Sequence, residues 1–334
     1  MVRQTEGSTL LGWHTRFARN PCSMVGLHFM PQAVCLPDSP GGLGFIRQGK
    51  LLLATGDPLA PARHWPDLVR ALLSHARYSG SQVCFAPVTA DFARVAAGPG
   101  MQAVRLGSTP YIHLQDWPAP GRAGADVRHA RRRALREGLT LERVHPPFTP
   151  EWRREVEQLS RCWQDQHRAG LRLHWVCSLR PLEFAPIKRY FAARVQGRLV
   201  AIIAASPLPA RDGWYLEDVI RTLEAPTYAG TALVSYALEV LKFEGAKVAT
   251  LGSVPLALER GWDSFEERTS LERLFYRLRP TLSRLYGFDG LERFKRGFGP
   301  AHWEDEFMVV PKGTLSTARA LLTLTRCLLR PWSE

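Results

Sequence analysis

The spacing of apolar residues divides the chain into short strands and amphipathic helices, most clearly in its second half. Alternating and clustered apolar positions predict three consecutive strands at 191–195, 199–205 and 214–220. After a turn at 224–231, a helix is predicted whose buried face carries Leu233, Val234, Ala237, Leu238 and Leu241. A strand, a glycine-containing turn and a helix N-terminus present backbone N–H groups to a phosphate or a carbonyl.

A short motif occurs twice along the chain. Residues 48–54 (QGKLLLA) and 196–202 (QGRLVAI) each place a polar residue, a glycine and a base before an apolar strand. Each hairpin is followed by a helical pattern and a strand ending in proline, at 82–87 and at 247–255. The repeated order predicts an α/β fold duplicated in tandem. We predict three units, namely an N-terminal domain at 1–145 that includes a basic helix at 122–138, a C-terminal domain at 146–312, and an amphipathic helix within 313–334.

Length and composition limit the class of protein. The chain of 334 residues is long enough for about two domains, and its ten Trp and fifteen Phe exclude a disordered or collagen-like chain. A formal net charge of +13 favours polyanionic partners, but it does not choose between nucleic acid, anionic lipid and a phosphorylated substrate.

Cysteine usage and apolar runs bear on compartment and on metal binding. The six cysteines form no CxxC pair and have no zinc-ligand spacing, so we expect reduced thiols, no metal site and a cytoplasmic location. The longest unbroken apolar run, at 199–205, is far shorter than the roughly 20 residues of a membrane-spanning helix. No transmembrane segment is therefore predicted.

The densest positive cluster lies in the basic helix. Arg128, Arg132 and Arg136 share one helical face through their spacing of four residues, and Arg131 and Arg133 flank that face. Five arginines without an acid among them form a stripe that can follow a phosphate backbone, which favours a polyanion-binding site. The alternative is a solvated helix face.

Two further places offer side chains for chemistry. Asp218 and Arg221 lie near the end of the third predicted strand, directly before the glycine-containing turn, where α/β proteins place ligand sites. Arg221 could clamp a phosphate and Asp218 could accept a proton or bind an amino group, although a surface ion pair has the same spacing. Lys295 and Arg296 stand among aromatic residues in 285–300, which suits a cation held beside a buried anion or, alternatively, a solvated basic turn.

The C-terminal segment 315–332 is amphipathic. One stripe carries Arg319, Arg326 and Arg330, and the far side carries Ala318, Leu321, Leu322, Leu328, Leu329 and Trp332. This pattern fits an interfacial helix on anionic lipid and equally fits a terminal helix docked on the domain.

Several enzyme classes lack their motifs. The sequence contains no GxSxG, no HExxH, no P-loop and no GxGxxG after a strand, which disfavours hydrolase, metalloprotease, NTPase and dinucleotide-dependent activities.

Four ordered stretches resemble one known family. They are 55–58 (TGDP), the basic helix running into 134–140, the group 218–221 with 225–226 and 230–231, and 251–256 followed by 285–303. In this order, over roughly residues 40 to 312, they resemble the cytosolic C-terminal region of the phosphatidylglycerol lysyltransferases and alanyltransferases, the multiple peptide resistance factors.

The resemblance implies a tandem pair of GNAT-type acyltransferase folds, with the catalytic site in the C-terminal one. It implies transfer of an amino acid from aminoacyl-tRNA to a hydroxyl of a phospholipid such as phosphatidylglycerol, with tRNA bound by the basic helix. Because the ester of aminoacyl-tRNA is already activated, we expect neither a metal nor another cofactor.

By the same resemblance, Asp218, Arg221 and Lys295 match functional positions of the family. We assign Asp218 to the α-amino group or to the acceptor proton, and the two cations to phosphate or developing negative charge. The predicted substrate-binding residues are Gly230, Thr231, Arg296, Gly252 and Asp57.

The membrane-spanning half of the family has no counterpart in this sequence. We therefore expect a lipid acceptor to be reached from the inner membrane face, with the 315–332 helix as a candidate contact. Two alternatives remain at this point: an acyl-CoA-dependent or tRNA-dependent N- or O-acyltransferase acting on a small molecule, and a non-catalytic module that binds tRNA or anionic membrane. The turn lacks the fuller glycine signature of acyl-CoA acetyltransferases, which disfavours CoA.

Overall fold

The computed structural model describes residues 2–4, 7–29, 32–166, 179–257 and 269–329. The strands are β1 (Val2–Gln4), β2 (Gln32–Cys35), β3 (Gly42–Gln48), β4 (Leu51–Ala54), β5 (Gln82–Thr89), β6 (Met101–His113), β7 (Leu139–Val144), β8 (Arg189–Val195), β9 (Arg198–Leu208), β10 (Gly213–Arg221), β11 (Val248–Thr250), β12 (Val254–Pro255) and β13 (His302–Pro311). The α-helices are α1 (Gly7–Phe17), α2 (Ser23–Phe29), α3 (Trp65–Tyr78), α4 (Ala90–Ala96), α5 (Gly121–Arg136), α6 (Pro150–Gln166), α7 (Ala229–Phe243), α8 (Ser270–Tyr286), α9 (Phe288–Arg296) and α10 (Thr314–Leu329).

All described strands belong to one mixed sheet. Its order is β1-β2-β3-β4-β5-β13-β6-β11-β10-β9-β8-β7, and β12 pairs with β6. The sheet is symmetric about the central pair β13 and β6, because each side has one parallel pair, β4 with β5 and β10 with β11. This arrangement confirms the predicted α/β class with a duplicated unit.

The two halves exchange strands at the centre of the sheet. Strand β13 pairs with β5 and β6, and β6 pairs in turn with β11. Strand β13 falls in the segment predicted as the C-terminal domain, yet it separates two strands of the N-terminal one. Hydrogen bonds of the sheet therefore join strands from the two sides of the predicted boundary at residue 145, in the pairs β5–β13, β6–β13 and β6–β11.

The two sequence repeats form hairpins that are not equivalent in the sheet. They are β3–β4 and β8–β9, and both have two-residue turns with positive φ, at Gly49 (+58°) and at Gln196 (+49°) and Gly197 (+79°). The parallel pairing of β10 with β11 shows, however, that the counterpart of hairpin β3–β4 is β9–β10. The repeated motif thus reflects the turn chemistry that any tight hairpin needs, and the duplication is carried by the topology instead.

Helix α7 covers the C-terminal half of the sheet. Its five predicted apolar residues are all fully buried, which confirms the helical face read from the sequence. They belong to the largest buried cluster, which also includes Phe191 and Ile203 of the sheet. Helix α6 covers the opposite face, where Trp152 and Val156 pack against Tyr190 and Ile202. The strand ends near α7 are therefore held between two packed layers.

The C-terminal helix docks on the domain, which was one of the two alternatives left by its sequence. Thr317 and Ala320 of α10 are buried, and the Thr317 hydroxyl donates to the Pro311 carbonyl (2.9 Å) and accepts from Gln102 (3.0 Å). Of the residues predicted on the apolar side, Leu321 packs against a buried cluster, whereas Ala318 and Leu322 are exposed. The packed face is decided by the sheet beneath the helix, so the apolar stripe predicted it only in part. Arg330 and Trp332 lie outside the described residues.

None of the helices in the described ranges has both the length and the apolar character needed to cross a bilayer.

The packing of α7 predicts a sharp difference between two leucines. Leu238→Ala removes a fully buried side chain and should lower the free energy of unfolding by about 2–5 kcal/mol. Leu223→Ala, at a position that is 71% exposed, should change it by less than about 0.5 kcal/mol. Urea unfolding monitored by circular dichroism measures both. Equal effects would contradict the described core.

Candidate active site

The candidate site lies where two parallel strands separate. Strands β10 and β11 pair from Gly213 with Val248 to Tyr215 with Thr250, after which β11 ends and β10 continues to Arg221. A bulge at Glu217 interrupts the pairing of β10 with β9. Diverging parallel strands leave their carboxyl-end backbone groups without a neighbour on that side, so this gap is suited to a ligand.

The predicted residues Asp218 and Arg221 stand on the part of β10 that borders this gap. In the pairing of β10 with β9, Asp218 lies opposite Ala204 and Arg221 lies opposite Ala201. The structure describes the backbone of Asp218 but not its side chain. The side chain of Arg221 is exposed and reaches the first turn of α7, where a Cβ placed on Gly230 would lie 3.7 Å from its Cδ. Arg221, Gly230 and Thr231 are thus brought together at a helix N-terminus, which favours anions.

Lys295 is buried on the other side of the gap. It lies in the last turn of α9, and its Nζ donates to the carbonyls of Gly252 and Ser253, both at 2.8 Å. Burial lowers the pKa of this lysine from 10.5 to about 7, although nearby Glu306 acts in the opposite direction. An amine with a pKa near neutrality can both accept and donate a proton at physiological pH.

Gly252 is required where it stands. Its φ is +78°, and a Cβ there would come within 2.6 Å of the Tyr215 ring on β10. This close approach lets the chain after β11 turn so that two successive carbonyls point at Lys295. The predicted residues Gly252 and Lys295 are therefore in direct contact.

A buried glutamate that the sequence analysis missed lies close to Lys295. Glu306 of β13 is 3% exposed and accepts a hydrogen bond from the Thr109 hydroxyl (2.6 Å). Burial raises the pKa of Glu306, while hydrogen bonds from Ser253 and Thr109 and the charge of Lys295 work against that rise. The available signal was a run of acidic residues inside an otherwise apolar strand, since a buried acid needs partners.

Asp57 occupies a closed position in the N-terminal half. Its two carboxylate oxygens accept hydrogen bonds from the Thr89 amide (2.9 Å) and the Thr89 hydroxyl (2.7 Å), and Asn20 approaches at 3.5 Å. Burial raises the pKa of Asp57 despite these bonds. The bonds join the end of β4 to the end of β5, where the other parallel pair separates, so this second gap is bridged by protein groups.

The side chain of Arg296 contacts different residues from those that the neighbouring Lys295 contacts. Its Nη2 lies 2.8 Å from Glu292 Oε1, and its guanidinium stands over the Trp303 ring at 4.7 Å. Both contacts hold the side chain on the protein's own surface. Its predicted part in substrate binding stays a prediction.

A cleft of about 460 Å³ opens beside the strand ends of the N-terminal half. Arg211 makes a two-pronged bond with Glu304 (2.8 and 2.6 Å) and covers the Tyr111 ring at 4.5 Å. Burial tends to raise the pKa of Glu304, but hydrogen bonds from His302 and Arg211 lower it to about 2. No local sequence pattern predicts this cleft, because its lining comes from separate segments of the chain: Arg19, Thr89, Asp91, Ala210, Arg211, His302 and Glu304.

The basic helix is α5, and its arginines divide into two groups. Arg131 is half-buried and pairs with Glu239 of α7, and Arg133 pairs with Glu137 at 2.7 Å. Arg128, Arg132 and Arg136 are exposed and form no ion pair with any residue in the described ranges. The outer stripe predicted from the spacing of four residues is thus available, while Arg131 ties the helix to the domain.

The mixed sheet, with one parallel strand pair on each side of its central pair, defines a tandem-duplicated α/β fold. Residues 38–310 match the model of the phosphatidylglycerol lysyltransferase C-terminal family, and the chain belongs to this family. This result confirms the resemblance described above.

Individual relatives agree with this assignment. The phosphatidylglycerol lysyltransferase of Bacillus subtilis is 26% identical over 292 residues, which cover 85% of this chain and 33% of that protein. A domain from Agrobacterium fabrum described as the C-terminal domain of a lysylphosphatidylglycerol synthetase has a TM-score of 0.79 at 20% identity, with 97% of this chain and 96% of that one covered. The structure of L-PGS from Bacillus licheniformis has a TM-score of 0.78 at 22% sequence identity, with 97% of both chains covered. The chain spans about a third of the length of the curated relatives it matches.

The burial of Lys295 predicts a stability difference that depends on pH. At pH values between the folded pKa of about 7 and the ordinary pKa of 10.5, Lys295 takes up a proton when the protein unfolds, so stability rises with pH in this range. This lysine therefore destabilises the fold most below pH 7 and less as the pH rises. Lys295→Met, which removes the charge, should therefore raise the melting temperature relative to the wild type more at about pH 6 than at about pH 9. Differential scanning calorimetry measures this. The same difference at both pH values would contradict a buried ammonium.

Proposed function

We propose that the protein transfers an amino acid from aminoacyl-tRNA to a hydroxyl of phosphatidylglycerol, working in the cytoplasm at the inner membrane face. The observation that carries this proposal is the buried Lys295, with its pKa near neutrality, at the point where β10 and β11 separate. The relatives named phosphatidylglycerol lysyltransferase support it.

The reaction needs one proton to move. The acceptor hydroxyl oxygen attacks the ester carbonyl, the bond to the tRNA ribose oxygen breaks, and the proton of the hydroxyl ends on that ribose oxygen. As a neutral amine, Lys295 can give its two hydrogens to the carbonyls of Gly252 and Ser253 and keep its lone pair for the proton. In place of the role expected from the sequence, which was to stabilise phosphate or developing negative charge, we assign Lys295 to carry the proton from the hydroxyl to the ribose oxygen.

The remaining predicted residues would position the substrates. Arg221, beside the N-terminus of α7, suits a phosphate of the lipid or of the tRNA end, because the guanidinium and the helix N–H groups attract the same anion. We assign Asp218 to the α-amino group of the donor. The donor ester is activated in advance, so the proposed reaction uses no metal or other cofactor.

The first experiment measures transfer of radiolabel from a panel of charged tRNAs into the organic phase in the presence of mixed phospholipids. We expect labelled phosphatidylglycerol from the wild type and from Lys312→Met, which changes an exposed lysine. Lys295→Met should lower the rate by about 10²–10⁴, the usual contribution of a positioned proton-transfer group.

Three results would contradict the proposal in different ways. Label released into water without a lipid product would refute the lipid acceptor. Equal rates for both lysine variants would refute the role of Lys295. A wild type that transfers no label but whose melting temperature rises with CoA would favour the acyl-CoA alternative. Circular dichroism of each variant checks that a lower transfer rate is not caused by loss of the folded structure.

The outer stripe of α5 predicts the salt dependence of tRNA binding. Replacing Arg128, Arg132 and Arg136 by Ala should weaken binding and make the slope of log K against log salt shallower by about 2–3, because each lost phosphate contact removes about 0.7–0.9. The control replaces Arg153, Arg154 and Arg161, which are exposed on α6, and changes the net charge equally. Equal losses in both triple variants would mean that net charge alone attracts tRNA.

A further inference from the structure

Helices α8 and α10 form an outer layer over one buried cluster of the sheet, and α9 is joined to this layer through α8. Leu271 and Phe275 of α8 and Leu321 of α10 pack on the same buried cluster, which includes Ala320 and Met308. Arg279 of α8 bonds to Asp289 (2.9 Å) and Glu292 (2.8 Å) of α9. The inward sides of α8 and α10 are thus fixed on the same side of the sheet, and α9 is held against α8.

A network of buried polar groups fixes α8 further. Glu272 accepts a hydrogen bond from the Arg105 amide (2.7 Å), and the Arg105 side chain bonds to Asp305 (2.7 Å), Ser108 (2.8 Å) and Tyr276. Arg105 is 1% exposed. The helix is held rigidly with one face toward the sheet, so the exposure of its other face is a fixed property of the fold.

Leucines are exposed on the outward side of this layer. Among the described residues, eight large hydrophobic side chains are exposed, and three of them lie on α8 and α10. They are Leu274 (49%), Leu278 (46%) and Leu322 (53%). Single exposed leucines are ordinary, but a group on one side of a layer marks an interaction surface. We call these three leucines, with the exposed arginines around them, the outer helix surface.

The arginines give the outer helix surface its charge. They are Arg273, Arg277, Arg293, Arg319 and Arg326, all exposed. The acidic groups described on α8 and α9 do not balance them, because Glu272 is buried and both Asp289 and Glu292 pair with Arg279. The surface therefore combines exposed leucines with an excess of positive charge.

We propose that the outer helix surface docks on an anionic bilayer, an inference that rests on the proposed function. Leucine side chains enter the boundary between headgroups and acyl chains, and arginines bind lipid phosphates. An anionic bilayer matches the leucines and the excess positive charge together, whereas tRNA offers no apolar phase for the leucines, and the exposed stripe of α5 already offers a site for nucleic acid. Helix α9, which carries Lys295, is bonded to α8 through Arg279, so docking of this surface brings the bilayer close to the candidate active site.

Vesicle flotation with the full chain, without tRNA, tests this surface. The wild type should bind vesicles of phosphatidylglycerol and phosphatidylcholine at least about tenfold more tightly than phosphatidylcholine alone. The double variant Leu274→Ser with Leu278→Ser should reduce binding at least about fivefold, since two buried apolar groups are lost. Arg273→Gln with Arg277→Gln should reduce binding to the anionic vesicles and make it less sensitive to salt. Tyr78→Ser, at a residue of α3 that is 93% exposed, is the control and should bind as the wild type does.

The outcomes separate this proposal from the proposed function. Wild-type binding that is absent, or equal for both vesicle types, would overturn the docking surface whatever the transfer assay shows. Leucine variants that bind vesicles like the wild type, or that lose tRNA binding instead, would also overturn it. Vesicle binding as expected, without any transfer of label to lipid, would leave the surface standing and refute the enzymatic role. Circular dichroism confirms the fold of each variant.

Discussion

The antiparallel pairing of β6 with β13 holds the two halves of the molecule in one sheet. It runs over ten residue pairs, from His302 with Tyr111 to Pro311 with Met101, and a bulge near Glu306 interrupts it once. Because neighbouring residues of a strand point to opposite faces, the adjacent acids Asp305 and Glu306 reach different surroundings. One bonds to Arg105 and Ser108 under α8, and the other to Thr109 near Lys295. Packing of the helix layer and chemistry of the candidate site thus depend on the same strand.

Burial acts on Lys295 and Glu306 in a related way. It favours the neutral form of each group, whereas their mutual attraction favours the charged forms. The carbonyls of Gly252 and Ser253 satisfy the lysine in either state, because an amine and an ammonium both donate to them. A lysine in such surroundings can change its protonation without losing its place, as the proposed proton transfer requires.

The sequence predicts the local structure of this protein well and its long-range pairing poorly. Strands β8 to β10 and the buried face of α7 follow from periodicity, since residues close in sequence share one face. The exchange of β6 and β13 leaves no local pattern, because the partners are separated by about two hundred residues. The docked face of α10 was predicted only in part: Leu321 packs as expected, but burial at Thr317 and Ala320 depends on what lies beneath the helix.

In the candidate site, too, some residues could be predicted from local sequence motifs and others could not. Asp218, Arg221 and Lys295 could be named through ordered motifs, and the structure sets Arg221 and Lys295 on two sides of one gap. Their roles stay predictions. Glu306 and Arg211 were not found, because each acts only through partners brought from distant segments, Thr109 for one and Glu304 for the other.

The exchanged strands also constrain the order of folding. Strand β5 has β13 as its neighbour, so the N-terminal half of the sheet stays incomplete until residues 302–311 have left the ribosome. Until then β5 has an open edge, and open edges of apolar strands promote aggregation. Long-range pairings of this kind also slow folding, because a long loop must close before the contacts can form. The shared sheet therefore leaves the growing chain with an open strand edge until β13 has been synthesised.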